Sequence, residues 1–259
     1  MFVILNRLTQ QEETMTVPAF DTDGVFGEDW VYFFAKLLDS NSNHEADFIW
    51  RLLELDPCME VLDLGCGYGR IANQLAERGC RVTGLDTTSS FLDRARRDAT
   101  TRGVTVTYVE GDMRELPWTE RFDRVVSWFT SFGYFDDADN RRVLSEVVRA
   151  FKPGGRFMIE MINRDWMMRR FQHASVVERD GDRIVDRHRW EPLTGRLVTE
   201  RTMIRNGHTR DVQFFVRMFT FTELRDWLLD AGFTKVDGYD EIGEQLGPES
   251  NRMIVVATR

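Results

Sequence analysis

Three glycines at alternate positions, Gly65, Gly67 and Gly69, interrupt an apolar run that starts at Val61. Val61-Leu62-Asp63-Leu64 therefore leads into a turn free of obstructing side chains, where a ligand can touch bare backbone. Ile71, Ala72, Leu75 and Ala76 follow at helical spacing up to Gly79, a residue suited to the left-handed position that stops a helix. The order strand, glycine turn, helix aims unpaired N–H groups and a positive helix end at the occupant of the turn, commonly an anionic group of a nucleotide-like cofactor. A second strand-like stretch, Arg81 to Leu85, ends in Asp86, 21 residues beyond Gly65. At that point α/β nucleotide folds accept hydrogen bonds from ribose hydroxyls. A dinucleotide fingerprint asks for glycine at its sixth position, where this chain has Arg70, so a nicotinamide cofactor is disfavoured.

Other chemistry is sparse. Of the histidines, His44, His173, His188 and His208, only His173 follows a main-sheet strand at the edge where ligands bind, which makes it the candidate base. The acidic group Asp136, Asp137 and Asp139 reads as a helix start, and no metal site is expected. Cys58, Cys66 and Cys80 are odd in number and lack C-x-x-C spacing, so neither a disulfide framework nor a zinc site is indicated and a reducing cytoplasm suits them.

The run Asp63-Leu64-Gly65-Cys66-Gly67-Tyr68-Gly69 resembles the first motif of class I S-adenosylmethionine-dependent methyltransferases. Val109-Glu110-Gly111-Asp112-Met113 with Leu116-Pro117-Trp118 is similar to that family's third motif, and Phe122 through Trp128 to its fourth. Leu144 through Phe151 with Lys152-Pro153-Gly154-Gly155 is similar to the helix and turn before its fifth strand. The resemblance covers residues 45 to 163 and implies a Rossmann-like seven-stranded sheet, mostly parallel with the last strand antiparallel, that binds S-adenosylmethionine and releases S-adenosylhomocysteine. It implies that Asp63, Gly65, Cys66, Gly67 and Arg70 hold the methionine part, Asp86 and Thr87 the ribose side, Asp112 and Met113 the adenine, and that Trp128 borders the sulfonium.

The aromatic helix before the first motif, the Ser131-Phe132-Gly133-Tyr134 loop and a late antiparallel insertion resemble bacterial N-methyltransferases acting on amino sugars and lincosamide antibiotics. On that resemblance Tyr32, Phe132 and Tyr134 grip a small-molecule acceptor, with an amine nitrogen favoured. Two alternatives stay open: an O-methyltransferase with His173 as base, and a cofactor-binding interaction module without catalysis. DNA amine methylation is disfavoured, because Ser127-Trp128-Phe129-Thr130 stands where those enzymes carry an Asn/Asp-Pro-Pro-aromatic motif.

With 259 residues, 42% of them hydrophobic, the chain suits one α/β domain with an insertion. Its net charge of -9 argues against nucleic acid as a partner, and no run reaches membrane-spanning length. Residues 1–20 read as a mobile extension, 21–57 as a helical lid with helices at Glu28 to Leu38 and Phe48 to Leu55, 58–163 as the cofactor core, 164–218 as an antiparallel insertion and 219–259 as the rest of the core. The insertion is announced by Asp180-Gly181, Pro192 to Gly195 and Asn206-Gly207, hairpin turn signals between β-favouring stretches. Residues 164–217 carry twelve Arg against eight acidic residues, so the insertion or the N-terminal extension is expected to mediate self-association. Thr220 and Glu223 form a capping box for a final helix closed by Gly232.

Overall fold

The computed structural model describes residues 22–259, so the extension expected over residues 1–20 lies outside the described residues. Five parallel strands make the body of the main sheet: β1 (Glu60–Leu64), β2 (Arg81–Asp86), β3 (Val106–Glu110), β4 (Phe122–Ser127) and β5 (Phe151–Ile162). Two more, β10 (Lys235–Tyr239) and β11 (Arg252–Thr258), extend it in the order β10-β11-β5-β4-β1-β2-β3. β11 runs antiparallel to both of its neighbours, as the family resemblance implies.

Alternation along these strands supplies the two faces of the sheet. Leu62, Leu64, Val125, Phe157 and Val255 are fully or almost fully buried in one core cluster with α6 (Asp137–Ala150) and α8 (Phe221–Ala231). Val61, Val126, Met158 and Ile254 point the other way, into a cluster with α3 (Ser42–Leu52), α4 (Arg70–Glu77) and α5 (Ser89–Arg102). α8 starts with the capping box of Thr220 and Glu223 and stops at left-handed Gly232.

The insertion is a separate four-stranded antiparallel sheet of β6 (Ala174–Arg179), β7 (Asp182–Glu191), β8 (Arg196–Arg205) and β9 (His208–Arg217). Positive φ at Asp180 and Gly181, and again at Asn206 and Gly207, gives the paired left-handed turns that suit the twist of a two-residue hairpin. One face of this sheet holds α2 (Glu28–Asp39): Phe33 packs with Ile184 and Met203, while Asp29 bridges Arg205 at 2.8 Å and Arg210 at 3.1 Å.

Three details differ from the sequence reading. α3 starts at Ser42, six residues before the expected Phe48, because the polar first turns of this helix carry no apolar period. Two short helices, α1 (Thr22–Phe26) and α7 (Arg164–Arg169), were not expected; at five and six residues they are too short to show periodicity. β5 begins at Phe151 rather than Arg156, with a register shift against β4 where Pro153-Gly154-Gly155 bends the strand. Among the described residues no helix is long and apolar enough to cross a membrane.

Candidate functional site

A cavity of about 310 Å³ opens at the carboxyl ends of β1, β2 and β4, where ligands of open α/β sheets bind. Its floor is the glycine turn. Gly65, Gly67 and Gly69 all have positive φ, and at Gly65 the requirement is double, since a Cβ there would lie 2.7 Å from Ser131 Cβ. The N–H groups of Gly65 and Cys66 donate to Leu85 O at 2.9 and 3.0 Å, which ties the turn to the end of β2.

Two carboxylates face this floor, Asp86 half-buried and Asp63 buried. Asp86 accepts from Gly67 N at 2.7 Å and Thr88 N at 2.9 Å. Burial raises its pKa, and these backbone bonds only partly oppose the rise. Asp63 is 2% exposed, and its Oδ2 has no hydrogen-bond partner. Burial, with the neighbouring charge of Asp86, pushes Asp63 up to about 7. An orphaned carboxylate oxygen on the wall of a cavity is fitted to a cationic donor.

Around the rim, Asp112 is gripped by Arg114, whose Nη2 donates to Oδ2 at 2.6 Å and whose Nη1 reaches Asp139 at 2.6 Å. Burial works to raise the Asp112 pKa, but the Arg114 bonds outweigh it and hold the carboxyl below its ordinary range. Arg70 pairs with Glu45, while its buried Nη2 is unpartnered and burial lowers it to about 10.

The roof is aromatic. Phe26 of α1 meets Tyr134 edge-on at 5.4 Å, and Trp30 of α2 lies 5.9 Å from Phe91 and 6.2 Å from Tyr68. Tyr68, within the glycine turn, donates its hydroxyl to Asp39 at the end of α2 at 2.9 Å, so floor and roof are tied directly. Burial pushes the Tyr134 phenol up to about 12.

All ten residues expected to hold the cofactor, Asp63, Gly65, Cys66, Gly67, Arg70, Asp86, Thr87, Asp112, Met113 and Trp128, line this one cavity, and so does Tyr134. Tyr32 and Phe132 are not brought to it, which corrects their expected place beside an acceptor. On α2 the helical period sends Trp30 toward the cavity and Tyr32 toward the insertion. There Tyr32 donates to Arg179 O at 3.2 Å, and its ring carries the Arg179 and Arg205 guanidiniums at 4.5 and 4.3 Å. Phe132 is 1% exposed and stacks on Phe219 at 5.8 Å, because the chain after β4 turns its side chain into the core. His173 is exposed at the start of β6, edge-on to Phe171 at 5.0 Å, and does not line the cavity.

Sequence reasoning missed Phe26, Trp30, Phe91 and Arg114 as lining residues. Trp30 and Phe91 are indistinguishable from core positions in an apolar helix, and Phe26 stands in a helix too short to read. The loop after β4 did carry a signal, its dense aromatic content, and Phe129, Ser131 and Phe135 from it reach the wall.

Residues 61–155 match the protein family described as methyltransferase domain. A demethylmenaquinone methyltransferase of Thermus thermophilus is 36% identical over 131 residues, spanning 48% of this chain and 58% of that one, so the chain spans little more than half the length of this relative. Among solved structures, an S-adenosylmethionine-dependent methyltransferase from Clostridium acetobutylicum superposes with a TM-score of 0.76 at 16% identity, over 88% of this chain and 97% of that one. An amino pentose methyltransferase from Micromonospora echinaspora, involved in calicheamicin biosynthesis and solved with S-adenosylmethionine bound, gives 0.62 at 24% identity, over 88% and 96%. These structural likenesses speak for the fold alone. The segment that matches the methyltransferase domain family, residues 61–155, supplies most of the lining of the strand-tip cavity.

Proposed function

We propose that the protein transfers a methyl group from S-adenosylmethionine to a nitrogen of a small-molecule amine. When bound, the cofactor supplies an electrophilic methyl carbon on a positively charged sulfur. The residues of the floor fit it: Asp63 offers an unpaired carboxylate oxygen to the ammonium of its methionine part, and Asp86 stands at the tip of β2 where ribose hydroxyls donate. Met113 and Asp112 take the adenine side, and Arg70 turns an unpartnered guanidinium nitrogen to the carboxylate.

The observation that carries the choice of nitrogen is the character of the roof. Phe26, Trp30, Phe129, Tyr134 and Phe135 line the cavity, and among the described lining residues there is no histidine or lysine to act as a base, the carboxylates Asp63, Asp86 and Asp112 being those assigned to the cofactor. Tyr134 keeps its proton, since its phenol is held near 12, and can orient an acceptor only by a hydrogen bond. An oxygen nucleophile usually needs a base, whereas an amine that arrives unprotonated needs position and the exclusion of water. Aromatic faces provide both, and they suit the cationic sulfur of the donor and the ammonium that forms as the amine takes the methyl group.

Titration calorimetry with S-adenosylmethionine and S-adenosylhomocysteine should give binding at one site. Mass spectrometry should then find singly methylated products from a panel of amines, amino sugars included, and none from matched phenols and alcohols. Methylated phenols with untouched amines would replace nitrogen by oxygen. Tight cofactor binding with no product from either panel would favour a non-catalytic module.

A further inference from the structure

Two successive residues other than glycine, Phe129 at φ 62° and Thr130 at φ 56°, hold left-handed backbone directly after β4. Side chains with a Cβ resist this region, and it persists only where the surroundings impose it. Both residues line the cavity. The turn they make delivers Ser131 to the floor, where its hydroxyl donates to Gly65 O at 3.1 Å and Trp128 O at 2.9 Å.

A carboxylate from the neighbouring strand meets the turn at its head. Glu160 of β5 is 4% exposed. Its Oε2 accepts from Phe129 N at 2.7 Å, and its backbone carbonyl accepts from Thr130 N at 3.0 Å. Its Oε1 pairs with Arg252 Nε, and Arg252 Nη2 donates to Thr130 Oγ1 at 3.0 Å. The Arg252 and Arg70 guanidiniums stand 5.6 and 5.3 Å from the Phe129 ring. A carboxylate needed only to neutralise Arg252 would give both oxygens to the guanidinium. Here one oxygen is spent on the amide at the head of the strained turn.

We infer that Glu160 is a positioning residue for methyl transfer: it holds the Phe129–Thr130 turn in its left-handed form and so keeps Ser131 against Gly65, fixing the wall between donor and acceptor. This rests on the cavity being the S-adenosylmethionine site. The consequence is specific to the backbone. Loss of Glu160 should be repaired by making the left-handed conformation free of cost, not by removing the charge of Arg252.

The test compares Glu160→Ala with two second-site changes, using S-adenosylhomocysteine affinity by calorimetry and crystal structures of the variants. Glu160→Ala should weaken binding about tenfold or more, the loss of one hydrogen bond to a charged group. Adding Thr130→Gly should recover at least half of that loss on a logarithmic scale, because glycine adopts positive φ without strain. Adding Arg252→Met should recover thermal stability, since no half-buried charge is left without its partner, but not affinity. If Glu160→Ala does not fold, Glu160→Gln takes its place: its amide oxygen still accepts from Phe129 N, so affinity should stay within about threefold of the parent while stability falls. Recovery of affinity by Arg252→Met, or none by Thr130→Gly, would overturn the inference in favour of a structural ion pair. If the parent protein binds neither S-adenosylmethionine nor S-adenosylhomocysteine, the assigned function fails instead. The crystal structure then decides the turn alone: left-handed Phe129 and Thr130 in Glu160→Ala overturn the inference, and their departure from that region supports it.

Discussion

The floor and the roof of the cavity are built on different principles. The floor is backbone and charge: glycines at positive φ that make a turn without side chains, a buried Asp63 with an unpartnered oxygen, and Asp86 locked by Gly67 N and Thr88 N. The main sheet holds it from below through continuous parallel pairing of β1 with β2 and β4. The roof is rings on α1, α2 and the loop after β4, and α2 leans elsewhere for support. α2 is anchored at its first turn by Asp29 to Arg205 and Arg210 of the insertion, and at its end by Asp39 to Tyr68. A floor fixed by the core of the fold suits a cofactor common to many enzymes. A roof hung from an inserted sheet can be remade without disturbing the floor.

The floor should therefore fail sharply to single changes. Gly65→Ala is the largest expected effect, because the new Cβ meets Ser131 Cβ at 2.7 Å on backbone at φ 73°. Overpacking and left-handed strain together should weaken S-adenosylhomocysteine binding by about a hundredfold. Calorimetry checks it, and an unchanged affinity would mean that the ligand does not lie on the glycine turn.

Asp63→Asn separates the electrostatic part of the floor from its shape. Removing the charge should weaken S-adenosylmethionine by about tenfold near pH 8. The same change should raise the melting temperature of the ligand-free protein. Burial lifts the folded-state pKa of Asp63 to about 7, above the value of an unfolded carboxylate. The folded state thus holds a proton that the unfolded state has lost, so the stabilising contribution is complete below the unfolded value and gone once pH passes about 7. Ligand-free Asp63→Asn should melt a few degrees above the parent at about pH 8 and level with it near pH 4. Cofactor affinity in the parent should rise with pH up to about 7 as the carboxylate ionises, and the variant should lack that rise.

Floor and roof also differ in how far the sequence reveals them. Gly65, Gly67, Asp86 and Asp112 announce themselves because only a few residue types can serve a tight turn, a ribose or a strand tip, and their spacing follows from strand and helix length. The strands of the insertion are equally legible from Asp180-Gly181 and Asn206-Gly207, whose left-handed pairs dictate the hairpins. The roof is not, because a ring over a ligand and a ring in a core look alike along a chain. Tyr32 and Trp30 stand two positions apart on one helix, and only the approach of the insertion decides which of them faces the cavity. Phe132 and Tyr134 are parted in the same way by the direction of a single turn.

Trp30→Ala tests the roof directly. Its ring contacts Phe34, Tyr68 and Phe91, so its loss opens the aromatic layer while leaving the glycine turn intact. Turnover with a good amine acceptor should drop about tenfold as water enters and positioning loosens, with cofactor affinity changing less than about threefold. Equal losses in both would make Trp30 part of the cofactor pocket and erase the distinction between the two surfaces.

The smallest expected effect is at Tyr32. Its hydroxyl donates to the Arg179 carbonyl at 3.2 Å, with Asp180 Oδ2 at 3.5 Å, and the flanking Arg179 and Arg205 guanidiniums lie over the ring, which Phe retains. Tyr32→Phe should therefore cost about 1 kcal/mol of stability or less, with cofactor affinity and turnover unchanged. Asp29→Ala, which removes the carboxylate pairing Arg205 and Arg210 with the first turn of α2, should loosen the same contact further and raise the rate of proteolytic cleavage within α2 before any loss of cofactor binding. Hydrogen exchange across α2 in both variants tells the two apart. A Tyr32→Phe enzyme that is fully stable yet slow would mean that the phenol reaches the acceptor after all. α2 would then have to rotate by about half a helical turn during the reaction to exchange Tyr32 for Trp30 over the cavity, since two positions on a helix lie about 200° apart.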